Sequence, residues 1–214
     1  METLLLCMNG YSDGAHAIVR GMYEKTVTSR YLHSNPDKVD DFLDYFWVAQ
    51  RRLVNQMKET FGKNILPEDK VAETEANFQA VRKKYEIPAC KVCETTRLNH
   101  TWIELDFVSM AKAAGAIAQL IVPAYILPTL ESHATVRSLI GRVTANEAGA
   151  LVFDGAPDHD AVDRILMTAQ NTILNVLELQ ELHFELTELH EPLQECFEDF
   201  LYIWKTSSEG EISA

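Results

Sequence analysis

The chain lacks nearly every short signature that announces a chemistry. It has no Gly-rich loop ending in Gly-Lys-Ser/Thr, no Gly-x-Gly-x-x-Gly and no Gly-x-Ser-x-Gly. The usual sequence grounds for a P-loop NTPase, a dinucleotide-binding domain or an α/β-hydrolase are therefore missing. No Glu-x-x-His occurs, Asp13-x-x-His16 being the nearest, and there is no His-Glu-x-x-His. The di-iron bundle and zincin patterns go with them. Arg30 to His33 and Arg97 to His100 are too close for the Arg-to-His interval of HEPN-type ribonuclease helices.

Basic residues are scarce: 19 Lys and Arg stand against 32 Asp and Glu, a net charge of -13. That balance keeps a protein soluble and repels phosphate backbones, which argues against a nucleic-acid partner. The runs Arg51-Arg52 and Arg82-Lys83-Lys84 are too short to form a basic patch. Cysteine is also sparse. Cys7, Cys90, Cys93 and Cys196 are the only four, and a chain of 214 residues buries a core without staples. Reduced thiols and a cytoplasmic location are the simpler expectation.

No leader is evident, because Leu4-Leu5-Leu6-Cys7-Met8 is short and no basic residue precedes it. The longest uncharged run, Ala113 to Leu130, is 18 residues and contains Gly115, Gln119, Pro123 and Pro128. We expect a buried helix there, kinked near one of the prolines, rather than a membrane span. Strand alternation is missing too, with Leu151-Val152-Phe153 the one short candidate.

What remains is helical periodicity. The expected fold is all-α, a single-domain bundle of about six or seven helices over 1–205, with a disordered polar tail over 206–214. One apolar pattern runs from Glu2 to His33, weakened by Gly10 and Gly14. Asn35-Pro36-Asp37 opens the next helix, whose apolar residues are Val39, Phe42, Leu43, Phe46, Ala49, Leu53 and Met57, and Gly62 ends it. A polar helix follows from Leu66-Pro67 to about Tyr85, then a loop from Pro88 to Asn99 and a helix from Thr101 to Ala114. A long helix from about Asp160 to Glu191 is expected to break at Pro192, before a last one carrying Phe197, Phe200, Leu201 and Trp204. Narrow apolar stripes on several of these helices leave room for a homodimer.

Four constellations invite a chemical reading. Cys90-x-x-Cys93 with His100 supplies three zinc-type ligands, but the fourth has no motif behind it. His16, Arg20 and Glu24 recur every four residues and share one helix face, with Tyr23 beside them. Thr129, His133 and Arg137 repeat that spacing in the apolar segment. If the two helices pack together, Arg20, Glu24, Thr129 and His133 form an internal polar network. The fourth set, Glu178, Glu181, His183, Glu185, Glu188, His190 and Glu191, reads as the solvated face of one amphipathic helix.

Several of these stretches, in their order, resemble an uncharacterised bacterial helical family, domain of unknown function 5677. They are Ala17-Ile18-Val19-Arg20-Gly21-Met22-Tyr23-Glu24, Trp102 leading to Ala113-Ala114-Gly115, the Thr129/His133 pair, and Phe153-Asp154-Gly155-Ala156-Pro157 before a long helix. The resemblance spans about Tyr11 to Leu182. It implies a helical fold and nominates Arg20, Glu24 and His133, and it supplies no activity.

Two functions fit these observations. In the first, the protein is a binding or interaction module with a buried Arg-Glu-His network and no cofactor. In the second, it is a hydrolase or nuclease-like helical enzyme. His133 and Glu24 then serve as acid and base, and Arg20 stabilises an anion.

Overall fold

The computed structural model describes residues 1–63, 65–89, 95–132, 136, 140, 142–153, 155–156, 159 and 161–210. The fold is all-α, with eight helices and two small hairpins among the described residues. By backbone contacts the chain divides into two compact units. One comprises residues 1–33 and 107–214, and the other residues 34–106.

In the first unit, α1 (Glu2–Met8) and α2 (Ser12–Ser34) replace the single expected helix. Gly10 adopts φ 72°. The Gly10 N–H bonds the Cys7 carbonyl at 3.0 Å and the Tyr11 N–H reaches back to Leu6 at 2.9 Å. This is a Schellman closure, which strongly favours glycine at that position. Ala15, Val19, Tyr23, Val27 and Tyr31 follow one another at four-residue steps, and all five are buried. Cys7, Ala15 and Val19 pack on Ala161, Ile165 and Ala169 of α7 (Val162–Phe184) and the residue before it. The small alanines let the backbones approach, and Val19 and Ile165 each contribute about 1.5–3 kcal/mol by burial.

The apolar run is segmented rather than continuous. After α5 (Phe107–Ala113) come a 3₁₀ turn over Ala116–Leu120, a π-turn over Val122–Ile126, and α6 (Leu127–Ser132). The break expected near the prolines is a π-turn with Pro123 in its first turn, where a missing N–H costs nothing, closed by the Leu127 N–H on the Val122 carbonyl. Among the described residues, no helix is long and apolar enough to cross a membrane.

Two expectations near α7 are corrected. The helix ends at Glu185, held at φ 54°, and not at Pro192. Leu186 donates to the Glu181 carbonyl at 3.0 Å and closes the end. Pro192 lies in the first turn of α8 (His190–Gly210), where a missing N–H costs nothing. The charged run from Glu178 to Glu191 therefore belongs to two helices. α8 continues through Gly210, beyond the start of the expected tail. Trp204 on α8 donates to Gln170 on α7 at 3.0 Å.

Strands β3 (Val143–Ala145) and β4 (Leu151–Phe153) pair antiparallel, Thr144 opposite Val152. The Asn146 side-chain oxygen accepts from the Ala148 and Ala150 N–H groups and shapes their turn.

In the second unit, α3 (Val39–Phe61) and α4 (Glu68–Val81) form a helical hairpin beside strands β1 (Glu86–Pro88) and β2 (Thr96–Leu98). Gly62 takes φ 68° and ends α3 as the sequence indicates. Val48, Phe78, Val81 and Tyr85 form the core, covered by Tyr45, Trp47 and Leu98. The expected loop from Pro88 to Asn99 holds β2, with Ile87 opposite Arg97. The helix expected to open at Thr101 begins only at Phe107. Asn99 and Thr101 instead turn their side chains onto the Ile103 carbonyl, a local bond that competes with helix formation.

Candidate functional site

Helix α2 carries the polar set. His16, Arg20 and Glu24 project from one face because four-residue steps nearly match the helical period. His16 is 2% exposed, and its Nδ1 lies 2.6 Å from Oε2 of Glu131 on α6. That close polar contact places a carboxylate against the imidazole and offsets part of the cost of burying a polar ring. One turn on, Arg20 donates from Nε to Glu24 Oε1 at 2.9 Å. Its guanidinium carbon sits 5.1 Å above the centre of the Tyr125 ring, within cation–π range. The Arg20 and Glu24 side chains keep 25% and 39% of their surface exposed.

Beneath this edge lies an aromatic floor. Tyr125 packs on Phe107 with centroids 4.3 Å apart. Phe107 meets the edge of Tyr23 at 6.0 Å. Tyr23 is fully buried and donates its hydroxyl to the Ile117 carbonyl at 3.1 Å. Burial pushes its hydroxyl pKa up to about 12, so Tyr23 stays neutral and anchors α2 rather than exchanging a proton.

The residues nominated from sequence are thus only partly gathered. Arg20 and Glu24 pair as expected, and Tyr23 lies in the core below them. Thr129 donates its hydroxyl to the Tyr125 carbonyl of its own segment, which turns it along the helix. His133 and Arg137 lie outside the described residues, as do Cys90 and Cys93. His100 is exposed in the second unit. Among the described residues, no cluster of three or more His, Cys, Asp or Glu could hold a metal ion.

Sequence reasoning placed His16 on the right face and missed its partner. Glu131 was visible only as the charge that closes an uncharged run.

Several other polar pairs tie helices together. Arg30 bonds Glu178 and the Asn175 carbonyl, so Glu178 is no free member of a solvated face. His33 and His183 meet Nδ1 to Nδ1 at 3.3 Å, and His190 contacts Glu181 at 2.9 Å. A groove of about 380 Å³ runs between α2 and α7, lined by Met22, Thr26, Thr172, Ile173, Val176 and other residues. Thr26 and Thr172 turn their hydroxyls back to Met22 and Thr168, so neither offers its proton to that groove.

Comparison with known proteins adds one finding. No curated protein and no solved structure matches the chain. A family model, described as a family of unknown function (DUF5677), matches residues 2–150. The match covers α1 to β3 and every residue of the Arg20 site. It stops short of β4 and α7, which the sequence resemblance had also included. With well over half of its length inside that match, the chain belongs to the DUF5677 family.

Proposed function

We propose that the protein is a helical binding module. Its ligand carries an acidic group that meets Arg20, a donor group that meets Glu24, and an apolar body that rests against Tyr125. One observation carries this reading. Within the polar set, the imidazole of His16 is closed off against Glu131, while the Arg20–Glu24 pair remains partly open to solvent. A general acid or base must reach its substrate, and the ring of His16, sealed behind Glu131, does not. A guanidinium that is a quarter exposed and stacked on an aromatic ring suits recognition of a carboxylate or phosphate.

In this reading His16 and Glu131 brace α2 against α6 and keep the recognition edge in place. The free thiols of Cys7 and Cys196 support a reducing, cytoplasmic environment.

Calorimetric titration with glutamate, succinate, inorganic phosphate and a nucleoside monophosphate tests the reading. At least one of these binds, and Arg20→Ala weakens it by about tenfold or more, the scale of a lost charged hydrogen bond. Binding indifferent to Arg20→Ala overturns the proposal, as does a panel in which nothing binds. The enzymatic alternative predicts instead ester or phosphodiester hydrolysis that Arg20→Ala and Glu24→Gln abolish.

A further inference from the structure

Helices α2 and α7 run parallel and end together. Contacts advance in step along both, from the core cluster of Val19 and Ile165, through Arg30 and Glu178, to His33 and His183. His33 stands in the last turn of α2 and His183 in the last turn of α7. The negative ends of two helix dipoles therefore meet at these rings, which favours a positive charge there. The two Nδ1 atoms lie 3.3 Å apart and the ring centres 5.4 Å apart, with the planes at 76°. Both residues are exposed. The carboxylates nearby in sequence are engaged elsewhere, Glu178 by Arg30 and Glu181 by His190. Among the described residues, neither ring bonds a second polar group.

We propose that His33 and His183 chelate a zinc(II) ion through their two Nδ1 atoms. The spacing of the rings carries the assignment. Imidazole nitrogens bind zinc at about 2.0–2.1 Å, so two of them on a tetrahedral ion lie about 3.3–3.4 Å apart. With each nitrogen aimed at the ion, the ring centres lie about 5.2 Å apart. The observed separations of 3.3 and 5.4 Å agree with both to within about 0.2 Å. Ligands at right angles, as on square-planar copper(II), require about 2.9 Å instead. Without the ion, one Nδ1 donates its proton to the other. On binding, that proton passes to solvent and the same ring takes one up at Nε2. Both rings stay neutral and each offers an Nδ1 lone pair. Two protein ligands leave two tetrahedral positions to solvent, so the ion is held reversibly. The site lies about 20 Å along α2 from Arg20 and is independent of the ligand read there.

Calorimetric titration of the full chain with zinc chloride tests it, in a C90S/C93S background that removes the closely spaced thiols as competing ligands. One zinc binds per chain. His33→Ala and His183→Ala each weaken it about tenfold or more, with unchanged far-UV circular dichroism spectra. The double variant H33A/H183A is no weaker than either single variant, because one imidazole alone does not chelate. His190→Ala leaves the pair intact and binds as the parent does. Saturating zinc raises the thermal midpoint of the parent and not of the two single variants, since the pair is assembled only in the folded chain. A parent that takes up no zinc overturns the proposal, as does zinc bound equally well by both single variants. Either result leaves the two rings as a hydrogen bond that ties the helix ends.

Discussion

His16 Nδ1 stands 2.6 Å from Glu131 Oε2, with the histidine 2% exposed and the carboxylate at the end of the apolar segment. The contact joins α2 to α6 across a long separation in sequence. It fixes how the helix bearing Arg20 and Glu24 meets the one bearing Thr129.

Removing either partner exposes the cost of that burial. Glu131→Gln keeps the shape and discards the charge, and it is expected to lower stability by about 1–2 kcal/mol. His16→Ala also loses packing and is expected to cost about 2–4 kcal/mol. Urea unfolding of both single variants and the double variant reads the coupling directly. If the double variant loses the sum of the two single losses, the contact contributes nothing, and the bracing role goes with it.

Much of this architecture was legible in local sequence. Gly62 ends α3 where the sequence indicates, because a breaker acts within a turn, while Pro36-Asp37 opens a 3₁₀ turn over Pro36–Lys38 and α3 itself starts at Val39. The break in the apolar run near Pro123 is legible for the same reason. Three-residue strands are shorter than any window in which alternation registers, which left β1, β2 and β3 unseen; Leu151-Val152-Phe153 showed only as an apolar triplet. The end of α7 at Glu185 was hidden because a left-handed residue there is ordinarily a glycine. The charge on Glu131 was visible and its partner was not, since pairing across helices depends on packing that no periodicity encodes.

Alkaline pH should unfold the protein through two tyrosines. Burial raises Tyr23 from 10.0 to about 12. Burial, with the charges of Asp44 and Asp41 nearby, does the same for Tyr85. Both are neutral while protonated, and the unfolded chain ionises them first. The stability they confer is therefore complete below pH 10 and lost as pH rises towards 12. Each contributes a slope of about 1.4 kcal/mol per pH unit within that window. Tyr23→Phe and Tyr85→Phe should each flatten the decline in urea midpoint between those pH values. An unchanged slope in both variants would contradict the assignment.

Arg52 ties α3 to the end of β2 through the Tyr45 hydroxyl and the carbonyls of Asn99 and Leu98. A planar fork serves three acceptors in a way an ammonium does not. Arg52→Ala is expected to cost about 1.5–3 kcal/mol, and Arg52→Lys most of that. Amide exchange at Ile87 and Arg97 in the hairpin is the local readout. A lysine variant with wild-type protection there would show that charge, not geometry, holds the strand.

Two glycines on successive long helices should respond with opposite sign to one substitution. Gly21 lies within α2, and a Cβ built on it meets nothing within 4 Å. Alanine there restricts the unfolded chain and suits the helix, so Gly21→Ala should add about 0.5–1 kcal/mol. Gly62 also has open space around a Cβ, but its φ of 68° closes α3 in the left-handed region. Gly62→Ala should therefore cost about 1 kcal/mol with no steric clash involved. Thermal melts of both variants separate backbone conformation from packing, because neither new methyl group meets a neighbour. A loss of stability at Gly21 would contradict the open space found around it and the preference of the helix for alanine.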